Sequence, residues 1–332
     1  MRPHELRERL DTLVELSIEL PVVIWGPPGV GKSAIVRTVA ESHGLEVIDL
    51  RLGQLAPTDL RGLPIVADGI ARFARPEFLR PDGAGVLFLD ELANAVPSVQ
   101  GLAQELLLDR RIGEHRLGDG WFIWCASNRR EDAAAVHAMP APVANRCIHV
   151  EIEPDLDSWK RYAMSQELSA DVIAFLSFRP ELLYKLDRNR PAFPSPRTWE
   201  MASTLHEAAL EVSCAVGEAA GDEFRVYLDT VACLPDLSPV LRGRGEDIGW
   251  PKELSVRFAT CVGLALRVAD EEEALAAFRW LSARAGAEWV QLFVADLVTR
   301  FRSRGRLGLL AQLLKSHPQL SKLVRELARD AA

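Results

Sequence analysis

Eight consecutive residues, Gly26-Pro27-Pro28-Gly29-Val30-Gly31-Lys32-Ser33, fit the pattern G-x-x-x-x-G-K-[ST]. Glycines at these positions let backbone N–H groups turn inward around phosphate oxygens, and a helix starting at the last residues adds its positive end. In that arrangement Lys32 reaches the β and γ phosphates of a nucleoside triphosphate, and the Ser33 hydroxyl ligates Mg²⁺. Ala34 continues the row of N–H groups, so Gly26 to Ala34 is the expected nucleotide-binding segment. A second pattern is Val86-Leu87-Phe88-Leu89-Asp90-Glu91, four apolar residues delivering two carboxylates. Open α/β sheets bind ligands at the C-terminal ends of their strands. Asp90 is expected to hold the metal through its water shell, and Glu91 to polarise the water that attacks the γ phosphate. Alone, the pair also reads as a strand ending in a solvated acidic turn; the Lys32 segment upstream favours the catalytic reading.

The elements around these residues follow from hydrophobic spacing. Leu6, Leu10, Leu13, Val14 and Ile18 share one face of a helix expected over residues 5–20, ending before Pro21. Val22–Trp25 is a β-branched run stopped by Gly26, and 33–43 reads as helix with Gly44 as its C-cap. Strands are expected over 45–50, 86–89, 121–126 and 147–152, with a helix over 97–109 that Pro97 suits at its first turn. Strands alternating with helices imply a parallel sheet covered on both faces. The alternation stops near Glu153-Pro154, and the remainder carries helical periodicity. Three prolines in Asn189–Arg197 mark an elbow inside that half, and Pro, Gly and Asp cluster again over 234–252. The expected organisation is an α/β core over 1–153, a helical domain over 154–250 and a helical extension over 251–332.

The 332 residues carry a formal charge of −8, with 48% hydrophobic and 26% charged residues. That composition belongs to a globular chain and argues against a dedicated nucleic-acid binder, which carries a basic face. No apolar run approaches the ~20 residues needed to span a bilayer, and the charged, amphipathic start does not read as a signal peptide. The five cysteines are widely spaced with no C-x-x-C pair, as expected of reduced thiols in a cytoplasmic protein. His115, His137 and His149 lack metal-ligand spacing and read as surface or structural residues. Trp121, Trp124, Trp159 and Trp199 read as core packing.

The order of these motifs resembles the AAA+ ATPases, and within them the MoxR-like branch, over roughly the first 205 residues. Asp49-Leu50-Arg51-Leu52-Gly53-Gln54-Leu55 followed by Asp59-Leu60-Arg61-Gly62-Leu63-Pro64 is similar to the MoxR segment after the second strand. The resemblance implies a P-loop NTPase core with a five-stranded parallel sheet, followed by an all-helical lid. It also implies an insert hairpin near residues 65–75 facing a central pore or a partner, against the plainer reading of a surface hairpin. Asn128, ending the strand WFIWCAS, matches the first sensor, although asparagine is also common in strand-end turns. Arg146 matches the arginine finger given to a neighbouring subunit, with Arg129 and Arg130 as rivals. The family usually has Ser-Arg-Phe there, whereas this chain has Asn145-Arg146-Cys147. Arg197 matches the second sensor, at a Ser- and Pro-rich position that would also cap a helix.

These residues imply ATP and Mg²⁺ as cofactors and hydrolysis as the activity, and the resemblance implies a hexameric ring as the assembly. The resemblance further implies remodelling or maturation of a protein client beside a separate partner with a von Willebrand A domain. A slow nucleotide-dependent assembly switch or scaffold is the first alternative, and a motor acting on nucleic acid the second.

Overall fold

The computed structural model describes residues 1–129, 139, 141–232, 234–306 and 321. It divides into two compact units, Met1–Pro154 and Asp155–Ala332.

The first unit contains helices α1 (Pro3–Glu15), α2 (Lys32–Ser42), α3 (Pro57–Arg61), α4 (Pro97–Asp109) and α5 (Ala141–Ala144). Its strands are β1 (Val22–Trp25), β2 (Glu46–Arg51), β3 (Pro64–Ala67), β4 (Ile70–Phe73), β5 (Gly85–Asp90), β6 (Arg111–Ile112), β7 (His115–Arg116), β8 (Trp121–Ser127) and β9 (Ile148–Glu151). Five of them form one sheet in the order β2-β5-β8-β1-β9, with every pairing parallel. The sequence explains this burial on both faces, because successive residues of a strand point to opposite sides. Val22, Ile24, Phe88, Phe122 and Trp124 join α1 and α2 in one apolar core. Val23, Leu87, Leu89, Trp121 and Ile123 join α4 in the other. Continuous apolar runs therefore suit these strands better than alternation does. The sheet is thus covered by helices on both faces, the αβα arrangement expected of a P-loop NTPase core.

Helix α1 buries Leu6, Leu10 and Leu13, as its spacing requires, but stops at Glu15 rather than Leu20. Ser17 adopts φ 52°, and Ile18 N–H donates to Leu13 O at 2.8 Å while Ser17 N–H donates to Val14 O at 3.0 Å. That pair of bonds is a left-handed helix stop built on serine, where glycine is the usual signal.

Strands β3 and β4 form an antiparallel hairpin turned at Asp68-Gly69, both at positive φ as a two-residue hairpin turn demands. The hairpin and its approach expose Leu63, Ile65, Val66 and Ile70 to water.

The second unit is helical: α6 (Leu156–Ser165), α7 (Ala170–Phe178), α8 (Pro196–Glu207), α9 (Ser213–Val216), α10 (Glu218–Val231), α11 (Ser238–Leu241), α12 (Leu254–Arg267), α13 (Glu271–Arg284) and α14 (Ala287–Ser303). Phe175, Trp199, Phe224 and Tyr227 centre one core on edge-to-face and tilted ring contacts. Leu264, Phe278, Phe293 and Phe301 lie in a second core. Helix α12 serves both, giving Val262 to the first and Cys261, Leu264 and Ala265 to the second. Lys160 on α6 and Asp296 on α14 form a buried ion pair at 2.5 Å. Residues 307–320 and 322–332 of the expected extension, with Cys233, Arg130 and His137, lie outside the described residues.

Candidate active site

The phosphate-loop candidate leaves the C-terminal end of β1 and enters α2. Gly26 has no room for a side chain, since a Cβ would stand 2.8 Å from Ile152 O and 2.9 Å from Ile152 Cγ1. Gly31 sits at φ 103° as the N-cap of α2 and supplies no capping side chain. The first helical bond there is Ile35 N–H to Gly31 O at 3.0 Å, which leaves Lys32, Ser33 and Ala34 in the opening turn. Their N–H groups have no acceptor in the helix and point where the dipole favours an anion.

Lys32 is buried, and its ammonium donates to Gly26 O at 2.7 Å, Pro27 O at 3.0 Å and Asn128 Oδ1 at 2.9 Å. The loop, the lysine and the sensor candidate are thus one bonded group at the ends of adjacent strands β1 and β8. Ser33 Oγ donates to Asp90 Oδ2 at 2.9 Å. These are two hard oxygens side by side at the end of β5, a donor pair that fits Mg²⁺ completed by phosphate and water. Among the described residues no group of three or more His, Cys, Asp or Glu could hold a metal.

Adjacent carboxylates Asp90 and Glu91 are used differently. Asp90 Oδ2 accepts from Ser33, and its Oδ1 accepts from the Glu91 N–H at 2.9 Å. The Glu91 side chain has no hydrogen-bond or ion-pair partner among the described residues, and its backbone is left-handed, φ 58° and ψ 34°. Such a conformation costs a non-glycine residue of order 1–3 kcal/mol and persists only where neighbours hold it. The holders are Gln100 and Ser127. Gln100 Nε2 donates to Leu92 O at 3.1 Å, and Ala93 N–H donates to Ser127 Oγ at 3.2 Å. Sequence reasoning passed over both. Their signals were a polar residue on the buried face of α4 and a hydroxyl closing an otherwise apolar strand.

The two described arginine candidates have different surroundings. Arg129 Nη1 donates to Glu151 Oε1 at 2.8 Å and also pairs with Glu153. Arg146 is exposed in the turn after α5, with no ion pair among the described residues. That turn is tied back to β1: Trp25 Nε1 donates to His149 Nδ1 at 2.9 Å, and His149 Nε2 lies 2.8 Å from Ala144 O. With Nδ1 accepting, the imidazole proton stands on Nε2 and donates to that carbonyl. His149 is structural. His115 is also bonded to backbone, its Nε2 lying 2.8 Å from Phe73 O.

Arg197 belongs to the helical unit and is described within it. It is the second residue of α8 and is exposed. Ser195 caps that helix: Thr198 N–H donates to Ser195 Oγ at 3.2 Å, and Ser195 N–H donates to Thr198 Oγ1 at 2.8 Å. Trp159 Nε1 bonds Pro196 O at 3.3 Å, so the helix start that carries Arg197 is fixed from below.

Residues 22–149 match the family described as ATPase family associated with various cellular activities (AAA). The matched residues all lie in the first unit. Midasin from Giardia intestinalis is 30% identical over 148 residues, covering 42% of this chain. The match spans 3% of midasin's own length. Among solved structures, a RuvB mutant from Thermotoga maritima aligns at 18% identity and a TM-score of 0.43, over 82% of this chain and 86% of that one. NtrX from Brucella abortus in complex with ATP aligns at 16% identity and a TM-score of 0.44, over 84% and 67%. The span matched by the AAA family runs from β1 into β9, and so includes the Lys32 loop, Asp90, Glu91, Asn128 and Arg146. No helix among the described residues is long and apolar enough to cross a membrane.

Proposed function

We propose that this chain is a Mg²⁺-dependent ATPase of the MoxR-like branch, acting as a ring that couples turnover to remodelling or maturation of a protein client. The carrying observation is the division of labour between neighbouring carboxylates. Asp90 is committed through both oxygens, one of them to Ser33, while Glu91 keeps its carboxylate unengaged beside it. A bound Mg²⁺ would offset charge on the β and γ phosphates. Ser33 and Asp90 hold the cation's side of the site. Lys32 turns its ammonium toward the phosphates, Asn128 orients the attacking water, and Glu91 accepts that water's proton. Arg146, exposed and without an ion pair among the described residues, serves as the finger for the neighbour's γ phosphate. Arg197 takes the role of second sensor, with 154–250 as lid and 251–332 as the extension. The exposed apolar hairpin β3–β4 supports a pore or partner contact, and the separate von Willebrand A domain partner and cytoplasmic setting come from the MoxR resemblance.

The test is steady-state ATP hydrolysis per protomer across a protein concentration series, with and without Mg²⁺, for the parent and Arg146→Ala. The expected result is a Mg²⁺-dependent rate that climbs with concentration in the parent and stays low in the variant. Mixing Arg146→Ala with Glu91→Gln subunits should restore part of the activity. Tight ATP binding without turnover at any concentration would instead favour the assembly switch, and turnover stimulated by DNA the motor.

A further inference from the structure

Gly53 lies in the middle of the 3₁₀ turn Leu52–Gln54 that follows β2. This turn packs against the one that Glu91 introduces, Leu92–Asn94. Nothing in the backbone asks for glycine there. Its φ is outside the left-handed region, the residue is exposed, and no main-chain atom would crowd a side chain. A Cβ at this position would nevertheless stand 2.7 Å from Glu91 Oε2. The next atoms, Asn94 Cβ at 3.7 Å and Glu91 Cβ at 3.8 Å, are at ordinary contact distance. The one conflict is with the carboxylate.

We propose that Gly53 is a positioning residue for ATP hydrolysis, its bare Cα forming the surface on which the Glu91 carboxylate rests. The proposal depends on the reading of Glu91 as the group that activates water. Asp90, Gln100 and Ser127 hold the backbone at and after Glu91, but no hydrogen bond among the described residues fixes the carboxylate itself. Shape alone therefore sets where its oxygens lie. A methyl group on residue 53 lifts the carboxylate, and the side chain swings aside at little cost in stability because no hydrogen bond among the described residues holds its end. Catalysis is less forgiving, since a misplacement of about 1 Å can cost of order 10²-fold in rate.

The experiment compares full-length parent, Gly53→Ala, Glu91→Gln and the double variant, at a concentration where the parent turns over with Mg²⁺. Hydrolysis, the Kd of a fluorescent ATP analogue and the thermal midpoint are measured for each. Gly53→Ala should lower kcat roughly 10- to 100-fold with the analogue's Kd unchanged. Its thermal midpoint should hold or rise slightly, since alanine restricts the unfolded chain. The double variant should be no slower than Glu91→Gln alone, because both changes act through one carboxylate. Parent-like turnover in Gly53→Ala, with Glu91→Gln inactive, overturns the positioning role and leaves Glu91's role standing. A double variant slowed well beyond Glu91→Gln also overturns it, by showing that residue 53 acts elsewhere. Parent-like turnover in Glu91→Gln removes the role of Glu91, and that of Gly53 with it.

Discussion

Lys32 Nζ donates to Asn128 Oδ1 at 2.9 Å across a sequence separation of 96 residues. Strands β1 and β8 are neighbours in register, Trp25 opposite Ser127, so the residues following each strand emerge side by side. The ammonium and the amide oxygen form a contact that a γ phosphate entering the loop would have to share.

Replacing Lys32 with methionine keeps the length of the stem and removes the charge. Charge-assisted hydrogen bonds are each worth about 1.5–3 kcal/mol, so ATP affinity should fall by at least ~10-fold. Titration of a fluorescent ATP analogue reads this directly, with circular dichroism to show that the fold persists.

Asp90→Asn and Glu91→Gln should separate binding from chemistry. Losing the Asp90 charge should raise the Mg²⁺ concentration needed for half-maximal turnover. Glu91→Gln should leave that dependence on ligand binding intact and lower kcat by about 10²–10⁴-fold. Because the Glu91 side chain has no partner among the described residues, the unfolding free energy of that variant should stay within about 0.5 kcal/mol of the parent.

Gln100→Leu removes the donor that Leu92 O accepts within the buried turn after Glu91. The carbonyl left without that donor should cost ~1–3 kcal/mol, measured by urea unfolding. A fall in kcat with unchanged nucleotide affinity should accompany it, since the turn behind the Glu91 carboxylate slackens.

In the helical unit, Lys160 and Asp296 are the pair to separate. Both are almost fully buried; Lys160 pairs with Asp296 Oδ1, and Oδ2 has no hydrogen-bond partner among the described residues. Lys160→Met alone leaves a buried charge unpaired and should cost ~3–5 kcal/mol. Lys160→Met with Asp296→Leu should cost much less, and chemical denaturation of the four members of the cycle measures the difference.

The sheet was readable in the chain because parallel buried strands need nothing but apolar runs, and Val22–Trp25, Val86–Leu89 and Trp121–Ala126 are such runs. The loop was readable because phosphate binding forces glycine and lysine into a fixed local spacing. What escaped depends on contacts distant in sequence. Ser17 ends α1 in a conformation that serine does not advertise. Arg129 is taken up by Glu151 and Glu153 only once β9 lies beside β1. Helical periodicity gave α12 an apolar face without telling that two cores share it. Gly53 stood in the MoxR-like segment without a role of its own, because its neighbour Glu91 is 38 residues away in sequence.

The strand order also bears on how the protein comes into being during translation. Val22 pairs with Trp124 on one side and Ile148 on the other, so the strand feeding the Lys32 loop is flanked by two of the latest-made parts of its unit. Non-local pairings of this kind are slow to form. A nascent chain still short of β8 carries the full loop sequence yet lacks both neighbours of β1. The strand that feeds the Lys32 loop is therefore fixed in its sheet only late in the synthesis of the first unit.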